Sequence, residues 1–582
     1  MTLKFIARIE LLPGRMVRSG VLPLLLAGTI ICGFISPSAA QGANDQKSVA
    51  VRDFGAIPGD GACDAAAINA AIRHAQATNA EIVQFEAGTY NLRYEEGTLP
   101  TILLHGATDL TLRGAVDATG EPTTVLELNL PLRNEFGVRH LDCRDGRNIA
   151  LENLVFDLDP PFSTSGQVIA VDRDERVVTV EIFPGMPHFE GMKCFSANSW
   201  DLETRDLLPV DPLTINMREP YFENLWHRVE DPDKVIYAIR NMPFTDTVQV
   251  GDGISWHFSV VTTHGFNLAF NTIDGLSLHN LRIHNSITLS AKTYDSRDIT
   301  ITDVRIEPKG HALAVGPRDG IHISNPRGRL LVDGLYVKGV RWDPLVSRVN
   351  FVTVREVNGN RLECTYRAVG NPDTIFQVGD MVDFWSGEKP FRMQVTDLTV
   401  LSRRGEKRFL LEFDREIPDH VTPGSLISPP TWDEAVIRNS WFEGNCGTAI
   451  VYENTNLIVE NNVFRNNTYN AIGIGPTSLN TGAFGNGIII RNNLFSGGGW
   501  VSKYGKNHGI ITTFQQHPHF THEAYNSNIL IENNFFKDLD YNDQICAIHI
   551  KNAQDVVIRN NHYINVPRKV VVDEASTANI AW

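Results

Sequence analysis

The chain has 582 residues, long enough to bury a large core. Its formal net charge of −16 argues against nucleic acid and acidic lipid surfaces as partners. It also disfavours a polyanionic substrate, unless a local basic groove exists.

The N-terminus reads as a secretory signal peptide over residues 1–40. Lys4, Arg8, Arg15 and Arg18 precede an apolar run from Val21 to Ile35, and Ser38-Ala39-Ala40 offers small residues for cleavage. The expected localisation is secreted or periplasmic, with no membrane association after cleavage. Beyond that segment stand Cys63, Cys143, Cys194, Cys364, Cys446 and Cys546. They lack metal or disulfide-framework spacing and read as buried small hydrophobes.

The stretch VRDFGAIPGDGACDAAAINAAIRHA follows, Val51 to Ala75. Asp64 is placed to cap a helix whose apolar stripe includes Ala67, Ile68, Ala71 and Ile72. An amphipathic helix of this kind covers the open first coil of a solenoid. The string DFGA…GDG…D…AI..AI resembles the entry motif of the pectate-lyase-like right-handed β-helix superfamily. That superfamily hosts lyases, hydrolases and phage tailspikes, so the resemblance bears on fold rather than on reaction.

Four C-terminal stretches repeat one pattern: LIVENNVF from Leu457, IIIRNNLF from Ile488, ILIENNFF from Ile529 and VVIRNNHY from Val556. Weaker copies begin at Ile149, Leu276, Ile299, Leu330 and Ala435. Aligning the second polar residue of each dyad equates Asn153, Asn280, Asp303, Gly334, Ser440, Asn462, Asn493, Asn534 and Asn561. The shortest intervals, Ser440 to Asn462 and Asn280 to Asp303, match one turn of a parallel β-helix. Apolar residues alternate inward, and Asn suits the bends because it tolerates left-handed backbone and bonds locally. Stacked Asn would form a ladder along the solenoid.

Two intervals exceed one turn by far, Asn153 to Asn280 and Gly334 to Ser440. Such insertions map to one face, often the binding face. Alternating strands broken by charged or Asn-Gly turns suggest two inserted β-barrels. The expected organisation is therefore all-β: a right-handed parallel β-helix with an N-terminal capping helix and two small inserted barrels. Residues 48–162 carry the cap and first coils, 163–264 the first barrel, and 265–345 the coils with the proposed active site. Residues 346–430 form the second barrel and 431–582 the C-terminal coils.

Glycosidases on this scaffold cleave with carboxylates from adjacent coils, one as acid and one as base. Asp319 and Asp343 lie one coil apart and so stack about 5 Å apart in backbone position. His322 and Arg348 flank them as candidate contacts for substrate hydroxyls. Trp342, Trp500 and Tyr504 are candidate sugar platforms, the last two carried over the cleft by the Gly497–Trp500 loop. His517–His522 (HPHFTH) reads as a polar loop rather than a zinc site, and no metal or cofactor is expected.

The segment Gly316–Arg348 resembles glycoside hydrolase family 110, secreted β-helix α-galactosidases acting on terminal α-1,3-linked galactose. The likeness lies in Asp319-Gly320-Ile321-His322, Gly328-Arg329-Leu330 and Trp342-Asp343-Pro344, and in Asp157–Phe162 before the first insertion. It implies an exo-acting, inverting hydrolase of carbohydrate non-reducing ends, without cofactor, using Asp319 and Asp343. The family's acidic doublet is here Trp342-Asp343, so one carboxylate is absent. Asp295, Asp298, Glu443 and Glu453 are candidate replacements. A polygalacturonase-like or other polysaccharide-degrading enzyme is the alternative, since RDGIHI and VRWDP resemble that pattern too. A non-catalytic carbohydrate-binding or adhesion β-helix is the other.

Overall fold

The computed structural model describes residues 47–95, 99–131, 138–189, 192, 196–209, 226–242, 244–257, 265–367, 370, 372–387, 389–501, 508–514, 520, 523–541 and 543–582. The expected signal peptide, Cys194, Tyr504 and the three histidines of HPHFTH lie outside these residues.

A 31-stranded sheet, parallel throughout, winds through the chain as a β-helix. Each strand pairs with its counterpart one coil on, so inward residues form columns. Leu268, Ala291, Ile321, Leu345, Ile450, Ile472, Ile511 and Ile548 are one such column, all buried. On another face Phe442, Phe464, Phe495, Phe536 and Tyr563 stack ring on ring, 4.8 to 5.4 Å between centroids. Helix α1 (Ala65–Thr78) closes the N-terminal end and buries Ala65, Ile68, Ala71, Ile72 and Ala75. Asp64 stands at its start but makes no capping hydrogen bond to the helix. Its carboxylate instead accepts the Ile57 and Asn91 amides at 3.0 and 2.8 Å, tying the cap to the first coil.

The bends correct the sequence alignment by one residue. Strand pairing puts Asn153, Asn280, Asp303 and Gly334 in register with Asn439, Asn461, Asn492, Asn533 and Asn560. All nine have left-handed backbone. The next position is inward. It holds Leu154, Leu281, Val304 and Leu335 upstream, then Ser440, Asn462, Asn493, Asn534 and Asn561 downstream. The downstream asparagines form the ladder. Asn462 bonds Asn493, Asn493 bonds Asn534, and Asn534 bonds Asn561, each at 3.0 to 3.1 Å through the side chains.

Both long intervals leave the solenoid as separate antiparallel units with cores of their own. The second is a closed barrel of six strands, from Val352–Asn358 to Leu426–Ser428. The described strands of the first, from Ser163–Asp172 to Gly253–His257, make a seven-stranded antiparallel sheet with Asp206–Leu207 and Trp226–Val229 at its edges. The described free cysteines are Cys63, Cys143, Cys364, Cys446 and Cys546; all but Cys63 are buried. No helix among the described residues is long and apolar enough to cross a membrane.

Candidate active site

Four successive strands of one face build the floor of the site: β1 (Leu289–Tyr294), β2 (Ile321–Ser324), β3 (Leu345–Arg348) and β4 (Ile450–Glu453). Because strand side chains alternate, the residues flanking the inward Ala291–Ile321–Leu345–Ile450 column point outward. One outward row is Lys292, His322, Val346 and Val451; the other is Tyr294, Ser324, Arg348 and Glu453.

Asp319 and Asp343 lie in the bends that lead into β2 and β3. The Gly320 amide donates to the Asp343 carbonyl at 3.1 Å, and the Ile321 amide to the Pro344 carbonyl at 2.9 Å. The two aspartates are thus equivalent positions on adjacent coils. Gly320 makes this stacking possible, because a Cβ there would meet the Pro344 carbonyl oxygen at 2.4 Å. Thr448 is the equivalent residue one coil further, and its amide donates to Asp343 Oδ1 at 2.7 Å.

Both aspartates are buried. Asp319 Oδ2 lies 2.7 Å from His322 Nδ1 and 4.0 Å from the Arg318 guanidinium. Oδ1 is buried without a hydrogen-bond partner. Burial alone would push this carboxyl up, but Arg318, His322 and Arg348 outweigh it and hold it well below the usual carboxylate range. Burial, with Lys292 and Arg348 nearby, pushes His322 well below its ordinary value despite Asp319. A neutral His322 therefore donates its Nδ1–H to an ionised Asp319.

The insertions stand at opposite ends of these strands. The first meets the incoming bends: Arg341 Nε donates to Ser196 Oγ at 3.0 Å, and the Leu313 amide to Ser165 Oγ at 3.0 Å. The second meets the outgoing ends. Tyr366 Oη accepts from Asn325 at 2.9 Å, Thr374 donates to Asp295 at 2.8 Å, and Arg327 pairs with Asp380 through two contacts of 2.7 Å. The floor is a trough between two walls.

Of the residues singled out from sequence, Asp319, Asp343, His322 and Arg348 come together here. Trp342 adjoins Asp343, half-buried, with its ring edge-on to Tyr469 at 6.1 Å. Trp500 does not join them. It is buried in the solenoid core, beside Tyr541. Among the candidate third carboxylates, Glu453 alone lies on the floor, with Arg348 at 3.8 Å and the Thr477 amide at 3.2 Å. Asp295 anchors the barrel, Asp298 accepts the Arg329 amide, and Glu443 pairs with Lys338 at 2.7 Å on a different face. Sequence reasoning missed Lys292, Arg318 and Tyr294. Lys292 carried a signal, a lone cation at an alternate position of a strand one coil before His322. Among the described residues no three His, Cys, Asp or Glu side chains are grouped to hold a metal ion.

Fold and cluster define a parallel β-helix protein with two stacked carboxylates in a cation-flanked trough. No protein-family model matches the chain. It is 23% identical over 568 residues to an α-1,3-galactosidase A of Bacteroides fragilis, covering 90% of this chain and 88% of that protein. It is likewise 23% identical over 553 residues to an α-1,3-galactosidase A of Shewanella woodyi, covering 90% and 86%. These relatives bear out the family resemblance read from the sequence. Looser similarity links it to two solved structures. One is a family 28 exopolygalacturonase of Yersinia enterocolitica, at TM-score 0.37 and 12% identity, covering 92% of this chain and 78% of that one. The other is the A-module of a mannuronan C-5 epimerase of Azotobacter vinelandii, at TM-score 0.37 and 10% identity, covering 92% and 98%.

Proposed function

We propose that the protein is a secreted glycoside hydrolase that removes terminal α-linked galactose, or a closely related sugar, from α-1,3 linkages with inversion. The observation that carries this reading is the stacking of Asp319 and Asp343 on adjacent coils at one edge of a walled trough. The near full-length likeness to α-1,3-galactosidases supports the sugar and the linkage.

Inverting hydrolysis needs a base for the attacking water and an acid for the leaving oxygen. Asp319 suits the base. It is held ionised by Arg318 and His322, and its Oδ1 has no partner in the protein, so that oxygen is available to a water. Asp343 is then the acid. Glu453 and Arg348 supply polar contacts along the floor, while Trp342 faces the sugar from the corner. The second barrel, bonded to the outgoing ends of the strands, favours a chain terminus over an internal bond.

The test separates the two roles by leaving group. Losing general acid or base assistance costs about 10²–10⁴-fold in rate. Asp343→Asn is expected to lose that on a natural disaccharide and far less on an aryl galactoside, whose phenolate leaves without a proton. Asp319→Asn is expected to lose it on both. NMR of the first product formed by the wild type should show the β anomer. Near wild-type turnover in both variants removes this pair as the machinery and leaves a carbohydrate-binding solenoid.

A further inference from the structure

Two cations on the floor keep bonding capacity that the protein leaves unused. Lys292 is 5% exposed. Its Nζ donates to Ser324 Oγ at 2.7 Å and lies 4.5 Å from the Tyr294 ring centroid. No carboxylate stands within 4.0 Å of it among the described residues. Arg348 has one distant partner, Glu453 Oε1 at 3.8 Å, and that oxygen already accepts the Thr477 amide and hydroxyl. Arg348 Nε is buried with no hydrogen-bond partner.

The register puts these groups side by side. Ser324 is the in-register neighbour of both Tyr294 and Arg348, and it receives the Lys292 ammonium. Lys292 and Arg348 thus stand on the coils either side of Ser324, close enough to His322 and Asp319 to act on their charge. Taking a cation out of water costs several kcal/mol unless it is paired, so a buried ammonium with no carboxylate in contact and a guanidinium with an unused Nε favour an anion beside them. A guanidinium offering Nε beside a terminal nitrogen fits the two oxygens of a carboxylate or sulfate, and an ammonium completes the contact. The chain as a whole carries −16, so this pocket runs against the surrounding charge. It is the local basic groove that a polyanionic substrate would need.

We infer that the trough takes a sugar bearing an acid group, a carboxylate or a sulfate ester, seated between Lys292 and Arg348 at Ser324. This rests on the glycosidase reading for its setting, but the anion seat can be measured without turnover. Burial and the nearby Arg348 push Lys292 well below its ordinary value against the pull of Asp319, and an arriving anion supplies further counter-charge.

The full chain is titrated calorimetrically with galactose, galacturonic acid, galactose 6-sulfate and inorganic sulfate. One or both acid sugars should bind about 10- to 100-fold more tightly than galactose, the range of a hydrogen bond to a charged group. That preference should weaken as salt rises. The two acid sugars separate carboxylate from sulfate, and inorganic sulfate binding as well as either would mean an ion site with no sugar selectivity, which overturns the inference. In Lys292→Met the ratio of acid-sugar to galactose affinity should fall toward one, and Lys292→Arg should restore part of it. Equal affinities for all three sugars in the wild type, or an equal loss for all in Lys292→Met, overturn the inference. Should Lys292→Met not fold, the wild-type ratio, its salt dependence and Lys292→Arg still decide. Hydrolysis of neutral galactosides with no acid preference sinks the inference alone. An acid preference with no hydrolysis of any glycoside sinks the proposed function alone.

Discussion

Two glycines hold the aspartate pair in place by having no side chain. A Cβ on Gly320 would fall 2.4 Å from the Pro344 carbonyl oxygen, and one on Gly447 would fall 2.2 Å from the Trp342 carbonyl carbon. Both contacts are to backbone, which cannot rotate away. Gly320→Ala and Gly447→Ala are each expected to separate the coils around Asp343 and to cost about 1–3 kcal/mol as overpacking. The loss of turnover should exceed the loss of stability, because a small misplacement of a catalytic group costs about 10²-fold. Kinetics on the natural disaccharide beside calorimetric melting checks both. Turnover that drops no more than stability would show the coil spacing to be indifferent for chemistry. Asp319 and Asp343 themselves were legible from sequence, because a spacing of one coil is a linear property. Arg318 was not, since a cation at a bend looks solvated until the fold shows what lies over it, and Lys292 showed only as a lone cation in a strand.

The repeat was legible as a strand, a bend and an asparagine. What escaped was the one-residue offset between the two halves of the solenoid. Upstream motifs such as Glu152-Asn153 put the left-handed residue second in the dyad, whereas Asn461-Asn462 puts it first. Both patterns show a polar pair after an apolar run, and only strand pairing tells which residue turns inward. The consequence is that the inward position tolerates opposite residue types in the two halves, polar downstream and apolar upstream. Asn493→Ala leaves the Asn462 amide and the Val459 carbonyl buried without their partners. At about 1–3 kcal/mol for each buried group left unpaired, a loss of about 2–6 kcal/mol is expected. Val304→Asn puts an amide where the neighbours are Leu281 and Leu335, and should destabilise as well. Calorimetric melting of each variant, with amide exchange across 457–495, measures this. A near-neutral Asn493→Ala would mean that the ladder adds specificity but not stability.

Acid should unfold the protein through its buried imidazoles. Burial pushes His140 down to about 4 and His549 likewise to about 4, and drives His257 and His322 well below their ordinary value. In the unfolded chain each takes a proton near pH 6.5, so below that pH the unfolded state holds more protons. Stability is fully present above about pH 6.5 and falls as pH drops toward 4, where the contribution of His140 and His549 levels off. For His140 alone the loss amounts to about 3 kcal/mol. His140→Gln should flatten the fall in melting temperature between pH 6.5 and 4, though it also gives up the 2.8 Å contact with the Asp157 carbonyl and so starts lower. A wild-type melting temperature independent of pH in that window would contradict the burial of these rings.

By itself the sequence determined the coil, because a repeat of apolar run, polar dyad and aromatic carries its own period and each coil buries its core on the next. It determined the one-coil spacing of Asp319 and Asp343 and the existence of two insertions, since both are matters of count. It also carried the family resemblance, in short motifs at set order. Tertiary structure alone decided which faces meet. Glu453 reaches the floor while Glu443 is taken by Lys338, although both lie near coil edges. Trp500 goes to the core, although its loop looked free. The described strands of the first insertion form a seven-stranded sheet and those of the second a closed barrel, although the two read alike. The physical reason is that coil-to-coil contacts repeat along the chain, whereas burial and ionisation in the trough depend on what two separate insertions and four strands bring to one place.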